Sequence, residues 1–281
     1  MKTEISEFER TKDYLICIDS DGCAMDTMDI KHKRCFGPCL IQEWNLQEHE
    51  KALLNRWDEI NLYSSTRGIN RFLGLEKLLR EVHTHGIEID GLDNLTRWVH
   101  STKELSHQSL NEEIARSGTQ IFRKALHWSE TVNEQINQLS IKEKKAFPYV
   151  AEAVKMAHQK ADVAIVSAAN LQAVYEEWET QGLLSDVDVL LSQSAGTKQF
   201  CIEKLVEKGY EKSCVLMVGD APGDLKAATE NGIMYYPILV TKEKKSWEEF
   251  VTVGLDRFIN HTFHGEYQQE VIQRFNKNLK A

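Results

Sequence analysis

An α/β fold with a Rossmann-like parallel sheet, interrupted by an all-helical insertion, is what this chain of 281 residues predicts. Three observations carry the prediction. Short, nearly all-apolar runs rich in β-branched residues recur at Tyr14–Ile18, Val163–Val166, Val187–Leu191, Val215–Val218 and Ile233–Ile238, as strands buried on both faces of a parallel sheet require. Helical patterns at Ala151–Gln159, Leu171–Gln181, Gln199–Lys208 and Asp224–Asn231 alternate with them, which is the signature of a doubly wound core. Between the first two strands, residues 29–145 offer no convincing strand at all.

Taken in chain order, the first strand runs straight into Asp19-Ser20-Asp21-Gly22. The insertion follows, with apolar residues at helical spacing: Leu53, Leu54, Trp57 and Ile60; Phe72, Leu75, Leu78, Leu79 and Val82; Ile121, Phe122, Ala125 and Leu126. Gly68, Gly74, Gly86, Gly91 and Gly118 punctuate it. The core resumes near residue 146, and Gly182, Gly209 and Gly232 mark helix ends. From about residue 242 a charge run, Lys242-Glu243-Lys244-Lys245, opens a tail with Trp247, Phe250, Leu255, Phe258 and Ile259 at roughly helical spacing. The expected organisation is therefore a core of residues 1–28 and 146–281, including a helical tail packed on it, and a helical domain of residues 29–145.

The totals narrow the classes. Acidic residues outnumber basic ones, 43 against 34, for a formal charge of −9. A general nucleic-acid binder needs a basic face, so that class is not expected. The longest apolar runs, near five residues, are too short to span a bilayer, and Met1–Lys12 lacks the pattern of a signal peptide. The six cysteines form no CxxC pair and read as reduced thiols, which points to the cytoplasm. Cys35 and Cys39 lie near His32, but no second ligand pair accompanies them, so a zinc site is not expected.

The polar residues that matter gather where strands end. Asp19 and Asp21 follow the first strand, and two carboxylates there are costly unless something binds them. Ser167 follows the second strand, before Ala168-Ala169-Asn170, whose small side chains would let an anion approach backbone N–H groups. Lys198 opens a helix after the third strand. Gly219-Asp220-Ala221-Pro222-Gly223-Asp224 follows the fourth, and its two acids can converge on a hard cation. Alone, each could be a helix cap. Together, Asp19, Ser167 and Asp220 fall on the carboxyl edge of the sheet, with Lys198 a short loop away, and that edge is where open α/β sheets bind ligands.

This set, DxD, then Ser, then Lys, then GDxxxD, resembles the four signature motifs of the haloacid dehalogenase superfamily. The resemblance covers about 1–28 and 146–240, and the insertion resembles the helical cap of many members; Cys23 departs from the usual Thr or Val. What the resemblance implies is a Mg²⁺-dependent phosphohydrolase. Asp19 would be the nucleophile and form an aspartyl-phosphate, and Asp21 the general acid and base. Lys198 and Ser167 would stabilise the transferring phosphoryl group. Mg²⁺ would be held by Asp19, the backbone carbonyl of Asp21, and Asp220, with Asp224 ligating or orienting a water. An acid at Asp21 favours C–O–P cleavage over C–Cl or P–C cleavage.

A small phosphorylated metabolite is the expected substrate, recognised by the helical domain. Candidates there are His32 and Arg34 after the first motif, and Arg67 and Arg71 in the polar turn Ser65–Arg71, with Ala168 in the core. A sugar phosphomutase, or a non-catalytic protein that binds a phosphorylated ligand, is the alternative reading.

Overall fold

The computed structural model describes residues 1–279. The chain divides into two compact units: Met1–Met28 together with the chain from Ser140 onward, and Asp29–Leu139.

The first unit is built on five parallel strands in the order β3-β2-β1-β4-β5. These are β1 (Tyr14–Ile18), β2 (Ala161–Val166), β3 (Val189–Leu191), β4 (Val215–Gly219) and β5 (Met234–Pro237). β1 is central, with Ile18 opposite Ile165 on one side and Val218 on the other. The α/β class and the parallel sheet are as the sequence predicts. β3 is shorter than expected because the 3₁₀ turn Leu184–Asp186 claims the N–H of Val187 (3.3 Å to the Leu184 carbonyl). Its outer edge is covered near the N-terminus: Lys2 donates to the Asp188 carbonyl and accepts from Leu190 N–H, both at 2.8 Å. This pairing blunts an edge that would otherwise present free backbone groups.

Helices Val150–His158, Leu171–Thr180, Lys198–Val206 and Pro222–Asn231 cross between strands. Gly182, Gly209 and Gly232 all adopt left-handed backbone after helices. The tail helices Glu243–Glu249, Leu255–Ile259 and Glu266–Asn278, with the π-helical turn Phe250–Gly254 between the first two, bury Trp247, Phe250, Phe258 and Val271 in the same core as β1, β2 and β4. At about 1.5–3 kcal/mol per large apolar side chain, the tail is an integral part of this unit.

The second unit contains no strand among the described residues. Its main helices are Gly37–Glu43, Glu50–Asp58, Arg71–Thr84, Leu92–Ser101, His107–Ser117 and Gln120–Gln138, and two π-helical turns, His32–Phe36 and Glu59–Tyr63, interrupt it. The stripes read from the sequence point inward at Trp57, Leu75, Leu79 and Phe122, which are buried; Trp128, outside those stripes, is buried with them, edge to face with Trp57 at 5.9 Å. Gly74 departs from expectation. It lies inside a helix, where a Cβ would come within 2.7 Å of Asn61 Oδ1, so it permits close packing and marks no break.

Candidate active site

Parallel pairing puts the carboxyl ends of all five strands on one edge. At that edge Asp19 is fixed by the sheet itself, because its N–H still reaches the Val218 carbonyl at 3.0 Å. β4 ends at Gly219, so Asp220 begins the next turn and Asp224 falls in the first turn of Pro222–Asn231. Lys198 is the first residue of its helix, capped by Thr197, whose hydroxyl accepts from Phe200 N–H at 3.2 Å.

These three segments converge. Oxygens of Asp19, Asp220 and Asp224 lie within 4.8 Å of one another, and all three residues are buried. The Lys198 ammonium sits 2.7 Å from Asp19 Oδ1 and 2.5 Å from Asp224 Oδ1. The second oxygen of Asp224 accepts the N–H groups of Asp220 (3.2 Å) and Ala221 (3.0 Å), tying the loop to the helix start. This contact needs Gly219: a Cβ there would lie 2.4 Å from Cβ and Cγ of Asp224. Burial, together with Asp224 and Asp220, pushes the Asp19 carboxyl well above its usual range despite the opposing pull of Lys198. Burial also works against the charge of Lys198, but Asp19 and Asp224 outweigh it and its pKa is raised.

The loop after β1 is built from within. The Ser20 carbonyl accepts from Cys23, Ala24 and Met25 N–H (3.3, 3.0 and 2.8 Å), its hydroxyl accepts from Trp178 Nε1 (3.0 Å), and Trp247 Nε1 donates to the Cys23 carbonyl (2.9 Å). Asp21 is half-buried, stands outside the three-carboxylate group, and accepts a short hydrogen bond from the Thr27 hydroxyl. Ser167 is buried at the end of β2, where its hydroxyl accepts from Ala169 N–H at 3.1 Å; Ala168 beside it is exposed. Sequence reasoning did not anticipate Thr27, Trp178, Trp247 or Tyr235, whose hydroxyl donates to the Gly219 carbonyl at 2.9 Å. The partners of Trp178 and Trp247 lie 158 and 224 positions away, and no motif pairs Thr27 with Asp21, six residues before it, or Tyr235 with Gly219.

A sequence model of the haloacid dehalogenase-like hydrolases matches residues 94–238, just over half of the chain. The chain belongs to that family. The match takes in Ser167, Lys198, Asp220 and Asp224, while Asp19 and Asp21 precede it. No curated protein matches. Among solved structures, a haloacid dehalogenase-like family hydrolase from Xanthomonas campestris is similar at a TM-score of 0.50 and 13% identity, covering 91% of this chain and 97% of the other, which supports the fold. A protein of Thermotoga maritima described as a candidate β-phosphoglucomutase gives 0.49 and 15% identity over 86% and 99% of the two chains. One of Lactobacillus delbrueckii subsp. bulgaricus, described as a candidate phosphoglycolate phosphatase, gives 0.49 and 13% over 80% and 85%.

Haloacid dehalogenase-like hydrolases generally use Mg²⁺, and the donors here fit it. All are oxygens, as a hard cation prefers. Three ionised carboxylates against one ammonium would leave two surplus negative charges in a buried volume, which a single divalent cation offsets.

The remaining candidates lie in the helical unit. Arg67, in the polar turn put forward for substrate recognition, is buried and donates to the Leu62 carbonyl at 2.7 Å. Arg71 reaches Ser129 Oγ (2.9 Å) and Asn133 Oδ1 (2.8 Å) and lies over the Phe36 ring at 4.9 Å. Its partners are neutral, and burial lowers its pKa to about 10. His32 stacks on Phe36 at 4.5 Å and accepts from Trp57 Nε1 at 3.1 Å; Arg34 is exposed.

Proposed function

We propose that this hydrolase is a Mg²⁺-dependent phosphatase acting on a small phosphorylated metabolite, with Asp19 as the nucleophile. The observation that carries the proposal is the convergence of Asp19, Asp220 and Asp224 around the Lys198 ammonium at a strand-end edge.

A carboxylate oxygen of Asp19 attacks phosphorus as the ester oxygen departs, giving an aspartyl-phosphate. Asp21 protonates the leaving oxygen, then takes a proton from the water that hydrolyses the acyl phosphate and regenerates Asp19. Lys198 and Ser167 hold the charge of the transferring group, in a site where displaced water would otherwise screen it. Asp19, Asp220 and the backbone carbonyl of Asp21 would hold Mg²⁺, which when bound supplies charge neutralisation and polarises phosphoryl oxygens. Both oxygens of Asp224 are already engaged, by Lys198 and by two backbone N–H groups, which favours an orienting role.

The helical insertion serves as the cap that selects the substrate. Arg71 is the strongest candidate within it for a second anionic group, because a half-buried guanidinium with only neutral partners gains from a counter-ion. The six free cysteines fit the cytoplasm.

Phosphate release from a panel of phosphorylated metabolites tests the reading. Release should require Mg²⁺, stop with EDTA, and fall at least ~10³-fold in Asp19→Asn. Release that survives in Asp19→Asn refutes the assignment, and sugar-phosphate isomerisation without net release would replace the phosphatase with a mutase.

A further inference from the structure

The C-terminal helices lie beyond residue 238, where the family match ends, yet two buried aromatic side chains tie them to the loops that carry the acids. Trp247 is fully buried, and its indole N–H donates to the Cys23 carbonyl at 2.9 Å. Tyr235, in β5, is buried, and its hydroxyl donates to the Gly219 carbonyl at 2.9 Å. Helix Glu266–Asn278 holds Tyr235 in turn. Phe275 meets its ring edge to face at 5.6 Å, and the Gln268 side chain accepts its N–H at 3.4 Å.

Each of these bonds fixes one end of a planar peptide whose other end is already engaged. The Gly219–Asp220 peptide accepts through its carbonyl from Tyr235 and from Ile238 N–H (2.8 Å), and its N–H donates to Asp224 Oδ2 at 3.2 Å. The Cys23–Ala24 peptide accepts from Trp247, and its N–H donates to the Ser20 carbonyl at 3.0 Å. That carbonyl belongs to the peptide leading into Asp21. The backbone donor from Ile238 already satisfies the Gly219 carbonyl, and phenylalanine at position 235 would fill the core without burying a hydroxyl. The second donor therefore adds orientation rather than satisfaction. It bears on Asp220 and Asp224 through one peptide, as Trp247 bears on Asp21 through the other.

We infer that the C-terminal helices position the active site, with Trp247 as the positioning residue for Asp21 and Tyr235, held by helix Glu266–Asn278, as the positioning residue for Asp220 and Asp224. What these contacts contribute to catalysis rests on the phosphatase reading; the contacts themselves do not.

The test measures amide hydrogen exchange residue by residue on the metal-free full chain, and Mg²⁺ affinity by calorimetry, in Tyr235→Phe, Trp247→Phe and Phe258→Leu. Phe258 is a buried tail residue, edge to face with Tyr14 at 5.4 Å, whose side chain makes no hydrogen bond, so its variant controls for general loosening. Exchange is compared with that of Leu216 within β4. Relative to it, Asp220 N–H should exchange about fivefold faster in Tyr235→Phe, and Ala24 N–H about fivefold faster in Trp247→Phe, as loss of one ordinary hydrogen bond predicts. Phe258→Leu should move neither ratio. Mg²⁺ should bind about tenfold more weakly to Tyr235→Phe, the size of a lost outer-shell contact, and as in wild type to Phe258→Leu. Unchanged ratios in both aromatic variants, or equal changes in Phe258→Leu, overturn the proposal. A wild type that binds no Mg²⁺ refutes the metal-dependent reading instead, and the exchange ratios still decide the positioning.

Discussion

Gly219→Ala should damage the protein far more than one added methyl group suggests. The new Cβ would sit 2.4 Å from Cβ and Cγ of Asp224 and 2.5 Å from its Oδ2, where ordinary contact begins at 3.4 Å. Asp224 is fully buried and pinned by Lys198 at 2.5 Å and by two backbone N–H groups. A shift of the required size breaks at least one of these bonds. Overpacking costs about 1–3 kcal/mol, and a lost hydrogen bond to a charged group about 1.5–3 kcal/mol more. At roughly 2–4 °C per kcal/mol for a unit of this size, calorimetry should show the parallel-sheet transition falling by on the order of 10 °C. Phosphate release should fall with it. Gly223→Ala is the matched control: it lies in the first turn of the same helix, nothing stands within 4 Å of its added Cβ, and it should be neutral or stabilising by up to ~1 kcal/mol. If Gly219→Ala melts within a degree or two of the wild type, the reasoning that Asp224 is immovable is wrong.

Two other perturbations probe the same unit. Burial opposes the charge of Asp162, but hydrogen bonds from the Thr11 hydroxyl (2.5 Å), Tyr210 and the N–H groups of Thr11 and Lys12 (2.9 and 3.0 Å) lower its pKa overall. Its stabilisation is therefore present above about pH 4 and lost as the pH falls through its lower folded-state value, so denaturation midpoints of Asp162→Asn should fall less than wild type between pH 6 and pH 3. Mg²⁺ should raise the melting temperature of wild type, by about 2.7 kcal/mol of stability at a hundredfold excess over Kd, and leave Asp220→Asn unmoved; an equal rise in both would place the ion elsewhere.

The fold was legible because its signals are local. Apolar runs such as Val215–Val218 and glycines such as Gly232 report their own burial and backbone state wherever they occur. Strand order can then be narrowed, since parallel strands need crossovers. The site was legible only as a set of positions. Asp19, Lys198, Asp220 and Asp224 stood out because each follows a strand end, yet nothing in the spacing told that Lys198 bridges Asp19 and Asp224 or that both Asp224 oxygens are engaged. Arg67 and Arg71 show the opposite limit. A polar, glycine-containing turn marks both as candidates for binding substrate, but nothing in it told that Arg67 is buried on the Leu62 carbonyl or that Arg71 lies over Phe36.

The sequence by itself determined the α/β class, the strand positions and the edge on which the reactive side chains gather, because hydrophobic periodicity and strand polarity are properties of neighbouring residues. Only the tertiary structure decided which carboxylates meet, that Thr27 holds Asp21, and that Gly219 and Gly74 are glycines so that Asp224 and Asn61 can pack against them. Those contacts join residues far apart in the chain, or turn on fractions of an ångström between neighbouring elements, and neither separation nor clearance at that scale is written in a pattern of residue types.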